Sequence, residues 1–131
     1  MGGVWDFCSV CRPPYTRTAY IAQMIPNDEV YHFPQTNHIT FAPGARSGWH
    51  SHGGMVILVT GGIGYYQEEG KPSQIIRKGD VVEYPEGVKH WHGGSANTSF
   101  AHIAVNTNPE LTGLEWFDRI SDEEYQKLTT E

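Results

Sequence analysis

The sequence predicts an all-β, single-domain barrel with one short C-terminal helix. Three observations predict it. The chain has 131 residues, enough for one domain around one core. Its 15 Gly and 8 Pro fall in short clusters between apolar runs, the punctuation of a turn-rich β protein. Seven Tyr, five Phe and four Trp add aromatics that suit a pleated, half-buried surface.

Residues 1–14 read as an N-terminal arm and 15–131 as the domain. Thr16–Ile25 alternates polar and apolar and stops at Pro26, so it reads as a strand. Asn27-Asp28 is a turn. Asn37–Phe41 is a second strand, closed by Pro43-Gly44, and His50–His52 sits on a third. After Gly53-Gly54, Met55–Thr60 is a continuous apolar run, expected to be a strand buried on both faces. Gly61-Gly62 leads into Gly64–Glu68, and Glu69–Pro72 turns back into Ser73–Arg77. Val81–Tyr84 is short and ends in the Pro85–Gly87 turn. Lys89–His92 and Ser99–Val105 complete the sheet. Ser121–Leu128 is helical, with Ser121 as N-cap and Glu124 three residues on, the arrangement of a capping box. The strand count suits a jelly-roll-type barrel, which uses about eight strands.

Composition narrows the function classes. The net charge is −6 and the densest basic run is Arg77-Lys78, which argues against nucleic acid as a partner. No window has the length of a membrane span. The start, MGGVWDFCSV, lacks the basic-then-apolar pattern of a secretory signal, and Asp6 stands where a myristoylation site wants Ser or Thr. Cys8 and Cys11 form a C-x-x-C that is open to three readings: a redox motif, half a zinc site, or incidental thiols. A redox motif wants a βαβ context, and a zinc site wants two more ligands nearby. Reduced thiols in a cytoplasmic protein are the expectation.

The chemistry concentrates in two stretches, GARSGWHSHGG from Gly44 and GDVVEYPEGVKHWHGG from Gly79. Each carries His-x-His, His50/His52 and His90/His92. Residues two apart on a strand share a face, so neighbouring strands can aim several imidazoles at one point. Imidazole is the commonest protein metal ligand, and a catalytic site needs about three ligands with open positions. His50, His52 and His90 supply three. A lone histidine is more often a satisfied structural residue, and His32 is read that way. His38 stays ambiguous. His92 is a fourth ligand, a supporting group or a general base. His102, in SFAHIAV, is a core residue or a catalyst.

These residues resemble the cupin superfamily. Its first motif, G-x5-H-x-H-x3/4-E-x6-G, is matched by Gly44, His50 and His52. Its second, G-x5-P-x-G-x2-H-x3-N, is matched by Gly79, Pro85, Gly87 and His90. Within cupins the chain is similar to small single-domain proteins related to carboxymuconolactone-decarboxylase-associated cupins, a group that includes manganese-dependent hydroxynitrile lyases. FAPGARSGWHSHGG, YYQEEGKP, KGDVVEYPEGVKHWHG, AHIAV and EWFDRISDEEYQKL carry that likeness. The resemblance implies a double-stranded β-helix barrel and His50, His52 and His90 as metal ligands. It also implies that His92 and His102 line the pocket, with His102 the better general base. Two departures stand out. The motif's glutamate is replaced by Met55, or by Val56 or Ile57, depending on the count, and none offers a hard oxygen. Gly94 stands where the second motif ends in Asn. A three-His site follows, with one divalent ion among Zn, Ni, Fe, Cu and Mn; without a carboxylate, Mn is disfavoured.

Three functions compete. The first is a metal-dependent enzyme on an oxygenated small molecule, a lyase, an isomerase or, with Fe(II), a dioxygenase. His102 or His92 would move the proton, and Met55, Ile57, Tyr84, Trp91 and Phe100 would form the pocket wall. The second is a non-catalytic metal- or ligand-binding module, motivated by Met55. The third is an auxiliary to a partner enzyme, which only the family association suggests. The resemblance also implies a homodimer or higher oligomer, with Val4–Ala22 as the exchanged or packed segment.

Overall fold

The computed structural model describes residues 6–10, 15–26, 30–107 and 114–129, the first stretch and Thr129 by their backbone. Cys11 and the Asn27-Asp28 turn lie outside the described residues. Among those described, the order is β1 (Asp6–Val10), β2 (Ala19–Ile25), β3 (Thr36–Phe41), β4 (His50–Ser51), β5 (Met55–Glu68), β6 (Gln74–Arg77), β7 (Val81–Tyr84), β8 (His90–Gly94), β9 (Phe100–Asn106), β10 (Glu115–Trp116) and α1 (Asp122–Thr129). No described helix is long and apolar enough to cross a membrane.

All ten strands join one curled antiparallel sheet, ordered β1-β2-β3-β9-β5-β8-β4-β10, with β6 and β7 also on β5. The central element is β5, which spans 14 residues. Its first half pairs with β7 and β9, and its second half with β6 and β8. Met55–Thr60 and Gly64–Glu68, read as two runs joined by Gly61-Gly62, form one strand with a corner at the glycines. The register with β9 shifts between Val59 and Gly61. Gly62 has φ +73°, and a Cβ there would sit 1.7 Å from the Ser99 carbonyl oxygen. Only glycine lets the strand bend and pass from one half of the barrel to the other.

A second expectation is overturned on β5. Met55–Thr60 is not buried on both faces: Ile57 and Val59 point inward while Leu58 is 42 % exposed. Its neighbours are antiparallel, and an antiparallel sheet can leave one face open. The inner face forms the main core from Ala19, Phe41, Ile57, Val59, Tyr66, Tyr84, Phe100 and Ala104, among others. Full burial of Phe41 and Ile57 contributes about 1.5–3 kcal/mol each. The segment read as an arm supplies an edge strand, since Asp6–Val10 pairs with β2 from Asp6↔Gln23 to Val10↔Ala19.

A smaller core of Tyr65, Trp91, Ile120 and Tyr125 lies beneath α1. The helix starts on the expected capping box: the Glu124 N–H donates to Ser121 Oγ at 3.1 Å, and Ser121 N–H faces Glu124 Oε1 at 3.5 Å. Arg46 ties this layer to the barrel. Its guanidinium is buried, donating to the Ile120 carbonyl at 3.1 and 3.0 Å and to the Gly44 carbonyl at 3.2 Å. It also pairs with Asp122 at 2.6 Å and lies 4.5 Å from the Tyr125 ring centre. Arg46→Ala strands the buried carbonyls and empties the space under Tyr125. We expect it to cost about 2–4 kcal/mol in urea unfolding. Asp122→Asn, at the exposed end of the same contact, is expected to leave the midpoint nearly unchanged.

Candidate metal centre

Strand alternation and one cross-strand pair build this site. On β8, His90 and His92 point into the barrel and Trp91 points out. On the neighbouring strand His50 stands directly opposite His90, and His52 follows at the exit of β4. The ligand atoms of His50, His52 and His90 lie within 4.8 Å of one another. Ring centres are 4.4 Å apart for His50–His90, 4.8 Å for His52–His90 and 5.3 Å for His50–His52.

Each ring is held by its own backbone. His50 Nδ1 lies 2.9 Å from the Gly48 carbonyl, His90 Nδ1 2.9 Å from the Val88 carbonyl, and His52 Nδ1 2.6 Å from the Gly53 carbonyl. A carbonyl only accepts, so each Nδ1 carries the proton and donates it. Each Nε2 is thereby left as a lone pair, the usual way in which an outer hydrogen bond prepares an imidazole ligand. His50 and His90 use the same device, a carbonyl two residues upstream. His90 Nε2 is buried with no partner among the described residues. An acceptor left so is costly unless something fills the position. The donor set fits a divalent ion with nitrogen ligands.

Burial keeps the rings of His50 and His90 neutral. It lowers His50 to about 3, helped by the fields of His90 and His52 and opposed by the Gly48 carbonyl. It lowers His90 to about 4, helped by His52 and opposed by the Val88 carbonyl and Glu68. Neutral imidazole is the form that binds a metal. Trp116 of β10 covers His50 at 4.7 Å and Tyr84 covers His90 at 4.6 Å.

His92 and His102 occupy the interior beside this cluster. His92 is in ring contact with His50 at 5.2 Å and with His102 at 5.4 Å. His102 is fully buried, packs on Phe41 and Phe100, and has neither ring nitrogen partnered among the described residues. Burial lowers His102 to about 3, with a smaller push from His38; burial also drives His92 far below its ordinary value. His38 faces outward, 3.3 Å from Thr60 Oγ1, and His32 is exposed with φ 59°.

The expected pocket wall divides. Met55 lines a cavity of about 190 Å³ beside His52, together with Gln35, Asn106 and Leu114. Tyr84 packs on the histidine rings. Ile57 and Phe100 are sealed in the core. Trp91, expected in the wall, is turned the other way by strand alternation, packs under α1 and donates to Gln67 Oε1 at 2.9 Å. Of the residues facing the motif's glutamate position, Met55 and Ile57 share the inward face of β5 with Val59, and Val56 lies on the opposite face. Sequence reasoning missed Gln35, Asn106, Leu114 and Trp116. They come from loops and strand ends where no spacing rule applies.

The low values of His50, His90 and His102 fix a pH dependence. An unfolded histidine takes up its proton near pH 6.5, whereas these folded ones resist until about 3 to 4. The unfolded chain therefore binds more protons across that window, so stability is full above about pH 6.5 and falls as pH drops toward 4. Unfolding free energies of metal-free protein from urea titration should decline through this range, by up to about 1.4 kcal/mol per pH unit for each such group. A flat profile from pH 7 to 4.5 would contradict the burial of these rings.

Comparison with known proteins agrees with this geometry. Residues 37–105 match the cupin domain family. A curated relative, (R)-mandelonitrile lyase of Granulicella tundricola, is 39 % identical over 90 residues, covering 68 % of this chain and 69 % of that one. A cupin-like protein from Thermotoga maritima superposes with a TM-score of 0.83 at 40 % identity, over 88 % of this chain and 87 % of its own. A polyketide cyclase from Streptomyces resistomycificus shares the fold with a TM-score of 0.70 at 13 % identity, over 94 % and 87 % of the two chains. With its barrel, its paired His-x-His strands and these matches, the chain belongs to the cupin family.

Proposed function

We propose that this protein is a metal-dependent lyase acting on a small α-hydroxy compound, with an aryl or branched hydroxynitrile as the first candidate substrate. The observation that carries the reading is the convergence of three carbonyl-anchored imidazoles on one point. His50, His52 and His90 would hold the ion. A bound divalent ion supplies Lewis acidity toward a substrate oxygen. The chain's own residues do the rest. Breaking an α-hydroxynitrile into a carbonyl compound and cyanide removes the hydroxyl proton and returns a proton to the leaving cyanide. His92, beside His50, and His102, behind it, are the groups that can carry those protons. The likeness to a mandelonitrile lyase favours this class. Cavity size agrees: about 190 Å³ beside His52 slightly exceeds the ~150 Å³ that accepts a benzene ring. Assembly as a homodimer belongs to the same reading, supported by the paired outward residues Leu58, Val81 and Ile103.

The second reading, a non-catalytic metal- or ligand-binding module, rests on Met55, which brings no hard oxygen to the side of His52. Incubation of metal-loaded protein with mandelonitrile separates the two: release of benzaldehyde above the protein-free rate supports the lyase, and no release with metal bound favours the module.

His90→Ala removes one ligand from the centre of the cluster. We expect divalent-ion binding in calorimetry to weaken more than about 100-fold, beyond what loss of a supporting hydrogen bond costs; unchanged binding would refute the assignment of this residue. Met55→Glu introduces the oxygen donor that the cupin pattern carries. Competition titrations should then shift preference from Zn toward Mn by about tenfold or more, and no shift would show that position 55 does not reach the ion.

A further inference from the structure

Tyr84 is a fully enclosed aromatic with a role that packing alone does not explain. It is 2 % exposed and lies parallel to Tyr66, ring centres 4.6 Å apart and planes 7° apart. The His90 ring packs on it at a tilt of 50°, ring centres 4.6 Å apart. Tyr66 is itself fixed, since its hydroxyl donates to Glu68 Oε1 at 2.9 Å and Glu68 pairs with Lys71 at 2.7 Å. Held between these rings, the Tyr84 ring places its hydroxyl 3.1 Å from His92 Nδ1.

The direction of that bond follows from what each group needs. Among the described residues His92 Nδ1 is the one hydrogen-bond partner of the Tyr84 hydroxyl. If His92 donated from Nδ1, the phenolic hydrogen would be buried with no acceptor, and a buried donor without a partner costs about 1–3 kcal/mol. With Tyr84 as donor the phenolic hydrogen and His92 Nδ1 are both satisfied, and His92 Nε2 is not among the fully buried unpartnered atoms of the described residues. A neutral imidazole that accepts at Nδ1 carries its proton on Nε2. This is the reverse of the three ligand rings, whose Nδ1 atoms donate to carbonyls.

We infer that Tyr84 is a positioning residue that holds His92 in its Nε2–H form, so that His92 presents a hydrogen-bond donor, and not a resting base, to a substrate oxygen or leaving group beside the metal centre. The inference rests on the proposed function for the word substrate, but the tautomer stands independently of it. One barrel thus contains two classes of imidazole, sorted by what faces Nδ1. A carbonyl makes a lone-pair ligand, and a phenol makes an N–H donor. His92 retains 5 % exposure where His102 retains none, and it lies in ring contact with His50, so of the two it is the less enclosed and the nearer to the metal centre.

The test reads the tautomer directly. Two-bond proton–nitrogen correlation spectra of the ¹⁵N-labelled wild-type protein are recorded at pH 7.5, with and without zinc, and His92 is assigned from the spectrum of His92→Gln. The expected pattern for His92 is an unprotonated Nδ1 and a protonated Nε2. A protonated Nδ1 would overturn the inference. In Tyr84→Phe, the His92 pattern should collapse toward a mixture or invert, while zinc bound per chain changes less than twofold. An unchanged His92 tautomer in that variant would equally overturn it. If Tyr84→Phe does not fold, the wild-type spectrum decides. Failure of the metal reading shows separately, as the absence of any zinc-induced shift at His50, His52 and His90; the His92 pattern is then read in the metal-free protein.

Discussion

The site depends on one cross-strand register, His50 opposite His90 in the antiparallel pairing of β4 and β8. A slip of one residue would turn His90 and His92 to the outer face and bring Trp91 inside. Several features hold that register. Gly93 lies so close to the neighbouring chain that a Cβ would meet Arg46 Cβ at 2.5 Å and the Ala45 carbonyl oxygen at 2.7 Å. Backbone bonds Ser47 N–H to His92 O and Gly94 N–H to Ala45 O, at 2.9 and 2.8 Å, lock the segment before β4 onto β8. Trp91 buries itself under α1, and Arg46 binds that helix layer to the same strand region. The outer layer, remote from the histidines, therefore helps decide which way they face.

Five histidines inside one small barrel are a physical burden as well as a resource. Burial favours the neutral form of His50, His90, His92 and His102, and mutual repulsion among most of them pushes the same way. The cost is met unevenly. Backbone carbonyls satisfy one nitrogen of each ligand ring and Tyr84 satisfies one of His92, whereas His102 has neither satisfied among the described residues. Such uneven satisfaction, with acceptors aimed at a shared point, is what distinguishes a binding centre from a core that merely contains histidine.

Much of this was legible from residue spacing. His-x-His on a strand needs only the two-residue period to place both rings on one face, and the spacing of Gly79, Pro85, Gly87 and His90 fixes the turn before β8. The capping box at Ser121 and Glu124 is equally local. What spacing does not encode is what arrives from far along the chain. Trp116 reaches His50 through a two-residue strand, β10, too short to carry a period. Gln35 and Asn106 meet by a hydrogen bond across 71 positions. Gly61-Gly62 reads locally as the joint between two runs, yet pairing on both sides keeps β5 continuous. Trp91 sits between two histidines and invites a place in the pocket, but alternation and the aromatic layer beneath α1 send it outward.

The most direct measurement of the central claim is X-ray absorption on zinc-loaded wild-type protein. The account predicts one ion per chain with three imidazole ligands, the remaining positions being filled by light atoms. One or two imidazoles, or a thiolate shell, would contradict it.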